Sequence, residues 1–226
     1  MPVSMSALAE DLAAESGVLR ALLVALDEDG WRRPTPAAGW SVLDQVTHLA
    51  WFDEAAVRSA TTPEAFTGEQ ANPDPDGVAA AHRDRSGAQV LAWFDHARSR
   101  LLTVFRALDP SLRVPWYGPP MSAASALTAR IMETWAHGQD VADTLGAVRE
   151  PTARLRHVAH IGIGARAYSY VVNGRDVPTT PVRVELAAPD AWAAADAIWA
   201  PVYRSADAQE GPRAFREKRA PVWQGH

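Results

Sequence analysis

Ser41-Val42-Leu43-Asp44-Gln45-Val46-Thr47-His48-Leu49-Ala50-Trp51-Phe52 is the stretch on which the fold turns. Val42, Val46, Leu49 and Phe52 recur at steps of three and four, the spacing of one helix face. Ser41 stands where its hydroxyl can accept a first-turn N–H, and Asp44, three residues on, suits the positive helix end. The preceding segment, Pro34 to Trp40, is a loop by its prolines and Gly39. A helix therefore opens at Ser41, and His48 lies within it, one residue from Leu49 and near the buried stripe.

The same periodicity recurs on both sides. Ser4 to Leu26 carries Leu8, Leu12, Leu19, Leu22, Leu23 and Leu26, with Glu10, Asp11 and Glu15 between them, and Gly30 ends it. Ser86 to Leu108 carries Val90, Leu91, Phe94, Leu101, Leu102, Phe105 and Leu108, closed by Asp109-Pro110. A further helix, capped by Ser122 or Ser125, runs to Leu145 with Gly146 just past its end. A fifth covers Thr152 to Val172, although Gly162 and Gly164 each cost about 1 kcal/mol relative to alanine. Thr61 to Gly87 is broken by Pro63, Pro73, Pro75 and Gly77 and reads as a long surface excursion with short helical turns. Trp116 and Tyr117 sit between prolines in a loop. Past Gly174 the character changes. Pro181 to Leu186 alternates like a strand, and Ala187 to His226 holds no sustained period, so it is expected to be loosely packed or irregular. The reading is a mainly α protein, with residues 1–174 a helical bundle and residues 175–226 a short, partly irregular C-terminal segment.

Composition narrows the chemistry. With 47% hydrophobic and 22% charged residues over 226 positions, the chain is an ordinary globular protein. No apolar run approaches the roughly 18 residues that span a bilayer, and Met1 to Leu8 lacks the basic and apolar regions of a secretory signal. A cytoplasmic protein with no membrane partner is expected. The net charge of −5 argues against nucleic acid, whose binding needs clustered basic charge. There is no cysteine, so any metal must be held by imidazole and carboxylate, and any thiol must come from outside the chain. Only Lys218 among the 22 basic residues is lysine. That arginine bias, with the abundant alanine, reflects GC-rich coding rather than arginine chemistry.

Glu133-Thr134-Trp135-Ala136-His137 places a carboxylate and an imidazole at i and i+4, on one helix face and about 5–6 Å apart at Cβ. With a histidine from a facing helix, such a pair can hold one ion and leave a coordination position open. Spacing alone fits a solvated Glu–His pair equally well, and a hydrogen-bonded core histidine accounts for His48. Asp140 and Asp44, near His137 and His48, read either as carboxylates that orient an imidazole or as simple acids. His157 and His160 share the fifth helix, and Trp51, Trp116 and Tyr117 read as pocket wall or as core.

The run Gly39-Trp40-Ser41 through His48-Leu49, followed by Asp53, resembles the first ligand helix of the DinB-like superfamily. Met132-Glu133 through His137-Gly138-Gln139-Asp140-Val141 resembles the second ligand segment of one branch, the mycothiol-dependent maleylpyruvate isomerase N-terminal domain. Arg156 to Gly162 and Ala167 to Tyr170 resemble an actinobacterial subgroup of metal-binding proteins. The likeness spans roughly Ser4 to Leu186. It implies a four-helix bundle of the DinB kind, of up-down type, with a fifth helix and a short α+β remnant. It implies a divalent metal, zinc being the first expectation, held by His48, Glu133 and His137. It implies a mycothiol-like thiol cosubstrate attacking an electrophilic small molecule, in transfer or isomerisation, with His160 lining the thiol side. A non-catalytic metal-binding or stress module and a metal-assisted hydrolase use the same ligands. Substrate, metal identity and oligomeric state are not specified by the sequence.

Overall fold

The computed structural model describes residues 4–68 and 73–179. Four long helices make the body: α1 (Met5–Leu23), α3 (Val42–Thr61), α6 (Gly87–Arg106) and α7 (Ala123–Leu145). Shorter helices α2 (Glu28–Trp31), α4 (Pro63–Gly68) and α5 (Pro75–Ala80) fill the connections. α8 (Leu155–Val172) follows. Each long helix starts where its cap stands. Ser4, Ser41, Ser86 and Ser122 each accept a backbone N–H from three residues on. Ser41 with Asp44, and Ser86 with Gln89, form reciprocal capping boxes. Gly146 ends α7 at φ +66°, a left-handed conformation that costs an L side chain about 1–2 kcal/mol.

The bundle core is two apolar clusters. One holds Leu8, Leu12, Ala56, Leu101, Phe105, Leu127 and Ile131. The other holds Leu19, Leu23, Val42, Val46, Leu49, Phe94 and Val141. Their membership fixes the helix directions. α1 and α7 run from the first cluster to the second, while α3 and α6 run from the second to the first. Simple up-down alternation is therefore interrupted between α3 and α6, which are parallel. The excursion at residues 62–86 makes this possible, because its length lets the chain return to the end where α3 began. Its irregularity in sequence resolves into α4 and α5.

Between the two clusters lies one buried polar layer. Asp53 accepts from Arg98 Nε at 2.6 Å and from Arg130 Nε at 3.1 Å. Arg98 also donates to Ser16 Oγ and to Thr134 Oγ1. Every member is buried. Four helices thus meet in one charged hydrogen-bond network, in which all but Arg130 Nη2 find partners that water would otherwise supply.

The proline-bounded loop carrying Trp116 and Tyr117 is the tip of a small antiparallel hairpin, β1 (Arg113–Val114) and β2 (Met121–Ser122), paired Arg113 to Ser122 and Val114 to Met121. The hairpin sets Trp116 on Phe66, with rings stacked at 6.0 Å, and Tyr117 4.9 Å from the same ring.

The described residues fall into two compact units, one within Met1–Glu150 and His157–Arg166, the other within Pro151–Arg156 and Ala167–His226. In the second, the described residues are the two ends of α8 with the short segments before and after it, and Gly174 at φ +63° follows the helix. The strand expected at Val182 to Leu186 and the loose packing expected for Ala187 to His226 lie outside the described residues. Among the described residues, no helix is long and apolar enough to cross a membrane.

Candidate metal centre

α3 and α7 pack antiparallel, and their facing residues read as a ladder: Gln45 against Asp140 and His137, His48 against Glu133, Asp53 against Arg130. The middle rungs form the site. His48 Nε2 lies 3.3 Å from Glu133 Oε2, and His137 Nε2 lies 3.2 Å from the same oxygen. One donor atom from each of the three residues falls within 4.8 Å of the others. Bonds of about 2.0–2.2 Å at tetrahedral angles require donor separations of about 3.3–3.6 Å, and the two imidazole–carboxylate separations lie close to the lower end of that range. Glu133 is the most open of the three, with 30% of its side chain exposed against 12% for His48 and 18% for His137.

Aromatic rings wall the site. Trp40, the last loop residue before α3, stacks on His137 with an interplanar angle of 12° and stands 5.3 Å from the His48 ring. Phe52, one turn beyond His48, packs 4.4 Å from it, and Trp51 and Tyr117 pack on Phe52. The aromatics singled out in the sequence therefore form a continuous surface leading from the hairpin to His48.

Electrostatics favour ligand-competent states. Burial lowers the His48 pKa below its ordinary 6.5, against the opposing pull of Glu133, so His48 is kept neutral. Burial works against a charged Glu133, but its contacts with the His137 and His48 ring nitrogens and the nearby Arg130 guanidinium outweigh it. Its carboxyl is held far below the usual range. Arg130 is one turn before Glu133 on α7, and its Nη2 is buried without a hydrogen-bond partner. One buried carboxylate, Asp53, serves two guanidiniums, so the layer beneath the site carries excess positive charge that Glu133 faces.

His48, Glu133 and His137 are brought together; His160 is not. His160 is exposed on α8, and the buried histidine of that helix is His157, whose Nε2 is 2.7 Å from Asp11 Oδ2. Asp44 does not orient His48. It is buried by its capping role and by the Arg83 guanidinium at 2.9 Å. Asp140 reaches His137 only through Gln45, which receives the His137 Nδ1 contact. Gln45, Arg98 and Arg130 escaped the sequence reading. Their one available signal was a polar side chain at a stripe position, which helical periodicity discards as noise.

A four-helix bundle with two imidazoles and a carboxylate converging between facing helices defines a protein of the DinB-like class. The chain belongs to the mycothiol maleylpyruvate isomerase N-terminal domain family, whose model matches residues 12–142, more than half of the chain. Uncharacterized proteins from two strains of Mycobacterium tuberculosis are 44% identical to it over 190 residues, covering 80% of this chain and 74% of theirs. Among solved structures, the mycothiol-dependent maleylpyruvate isomerase superposes with a TM-score of 0.62 at 17% identity, over 81% of this chain and 83% of that one. A histidine-to-alanine mutant of that enzyme gives 0.60 at 16%, over the same shares. At such identity the structural likeness speaks for the fold.

Proposed function

We propose that the protein is a metal-dependent enzyme that binds one divalent ion through His48, Glu133 and His137 and acts with a small thiol of the mycothiol type. The observation that carries the reading is the convergence of three donor atoms from two helices, with both imidazole nitrogens 3.2–3.3 Å from one Glu133 oxygen. Family membership supplies the thiol, since the isomerase that shares this fold is mycothiol-dependent by name. A bound ion would supply Lewis acidity that lowers the pKa of a thiol sulfur at the open coordination position. The protein's own residues would do the rest. His48 and His137 would offer imidazole nitrogens, Glu133 a carboxylate, and Trp40 and Phe52 exclude water from the imidazole faces. The excess positive charge around Arg130 favours an anionic sulfur over a neutral one. The thiolate would then attack an electrophilic small molecule, in transfer or isomerisation. Residues 1–174 would contain every ligand. The donor set suits zinc, nickel or iron, with zinc the first expectation.

Metal analysis of the purified protein, followed by cobalt substitution and titration with small thiols, tests the proposal. Stoichiometric metal and a thiol-dependent change in the cobalt spectrum are expected. Metal without any thiol response would favour a non-catalytic metal module or a metal-assisted hydrolase, and absence of metal uptake would end the reading.

A further inference from the structure

We infer that Gln45 is a positioning residue that holds His137 in its Nδ1–H form and so dedicates Nε2 to the ligand cluster. The inference rests on the metal reading for its purpose, though not for its geometry. Gln45 is fully buried, and its carboxamide has three neighbours. Nε2 lies 2.9 Å from Asp140 Oδ2 and 2.9 Å from Thr35 Oγ1, and Oε1 contacts His137 Nδ1.

The polarity of this network is fixed from its ends. An ionised Asp140 can only accept. Thr35 spends its hydroxyl proton on the Trp40 carbonyl, 3.0 Å away, so its oxygen also accepts. Both neighbours on that side demand the NH2 group, which turns the carbonyl oxygen of Gln45 toward His137. That oxygen can only accept, so the His137 proton belongs on Nδ1. The Trp40 residue acts twice, since its carbonyl anchors the chain and its ring stacks on the imidazole it helps to orient.

One consequence bears on the cluster. A neutral His137 so held presents the lone pair of Nε2 to the carboxylate oxygen of Glu133 at 3.2 Å. Two lone pairs at that distance repel unless a cation lies between them. His48 has no such brace, because its Nδ1 is buried without a partner. The two imidazoles are therefore unequal: His137 is held from its Nδ1 side, whereas His48 is held only through its Nε2 contact with Glu133.

Nitrogen-15 NMR of the imidazoles tests this on the wild-type chain, at alkaline pH without metal and again with zinc. The expected result is a protonated Nδ1 on His137 in both states; a proton on Nε2 overturns the inference. Zinc affinity of variants, measured by chelator competition, gives the second arm. Gln45→Leu should lose roughly 10–100-fold, the usual effect of removing a group that orients a ligand. Gln45→Glu, which sets a carboxylate against Asp140, should lose affinity as well, and adding Asp140→Asn should restore most of it by returning a donor. Undiminished affinity in folded Gln45→Leu, or no recovery in the double variant, would count against the brace. A wild type that takes up no zinc would instead refute the metal reading, and the tautomer in metal-free protein would still decide the role of Gln45.

Discussion

Replacing Asp53 by asparagine should be the most damaging near-isosteric change in the molecule. Asp53 is wholly buried and accepts from Arg98 at 2.6 and 3.3 Å and from Arg130 at 3.1 Å. Each guanidinium is about as buried, with 5% of its side chain exposed. Burial drives the Arg98 pKa down and Asp53 is what opposes it, so the carboxylate is the reason two cations tolerate the interior. Removing one partner of a buried pair costs about 3–5 kcal/mol. Here two guanidiniums lose their common counter-ion and are left repelling one another, which places the expected loss near the upper figure, about 5 kcal/mol. A domain of this size shifts by roughly 2–4 °C per kcal/mol, so the melting temperature should fall by about 10–20 °C. Circular dichroism melts and urea titrations of Asp53→Asn measure both quantities. Adding Arg98→Met, which removes the surplus charge and fills the space, should recover much of the loss. A single variant within about 1 kcal/mol of wild type would mean that this layer is hydrated or otherwise neutralised, and the argument would fail.

His137→Ala should keep the helical circular dichroism of the wild type while abolishing stoichiometric metal, since two remaining ligands hold an ion poorly; metal retained at one per chain would refute the ligand assignment. His160→Ala should leave metal content unchanged and, if the expected thiol role holds, should change only the cobalt spectrum's response to thiol. Metal loss in that variant would contradict the placement of His160 outside the cluster. In the metal-free protein, a His48 held neutral by burial means the unfolded chain takes up the proton first. Stability should therefore decline as pH falls through the ordinary 6.5 toward the lowered folded value, and His48→Gln should flatten that part of a urea-midpoint profile. Gly87→Ala should cost about 1–3 kcal/mol by overpacking, because a Cβ there would stand 2.2 Å from the buried Trp31 ring; an unchanged unfolding midpoint would show that the ring can yield.

Much of the bundle was legible because local and global signals agree in it. Ser4, Ser41 and Ser86 cap the helices they were read as opening, and Gly146 ends the helix it was read as ending. The leucine and valine stripes became the two apolar clusters. The first helix stops at Leu23 rather than Leu26, since Asp27 caps a separate short helix whose Gly30 N–H it holds at 2.8 Å. What stayed hidden was long-range and polar. Periodicity assigns arginines to the surface, so nothing local distinguishes buried Arg98 and Arg130 from the many exposed arginines. Their placement depends on Asp53, Ser16 and Thr134 arriving from other helices. Gln45 was hidden for the same reason, as an amide becomes a brace only when Thr35, Asp140 and His137 surround it. The direction of α6 was also beyond reach, because a stripe says which face is buried and not which way the helix runs.

His48 and Glu133 are 85 residues apart in sequence, whereas Glu133 and His137 share a single helical turn. An unfolded or partly folded chain can therefore offer an ion two ligands whenever α7 is helical, but never the third until α3 has docked. An ion bound by all three discriminates sharply between native and denatured chains. At a free concentration a thousand times its dissociation constant, with no affinity for the denatured chain, it would add about 4 kcal/mol to the native state. With an ion bound, the cluster would act as a reversible cross-link closing the chain between its first and second halves, without a disulfide, in a chain that has no cysteine to make one. Chelation would loosen the α3–α7 seam first, and the protein's lifetime against proteolysis would become a function of metal supply.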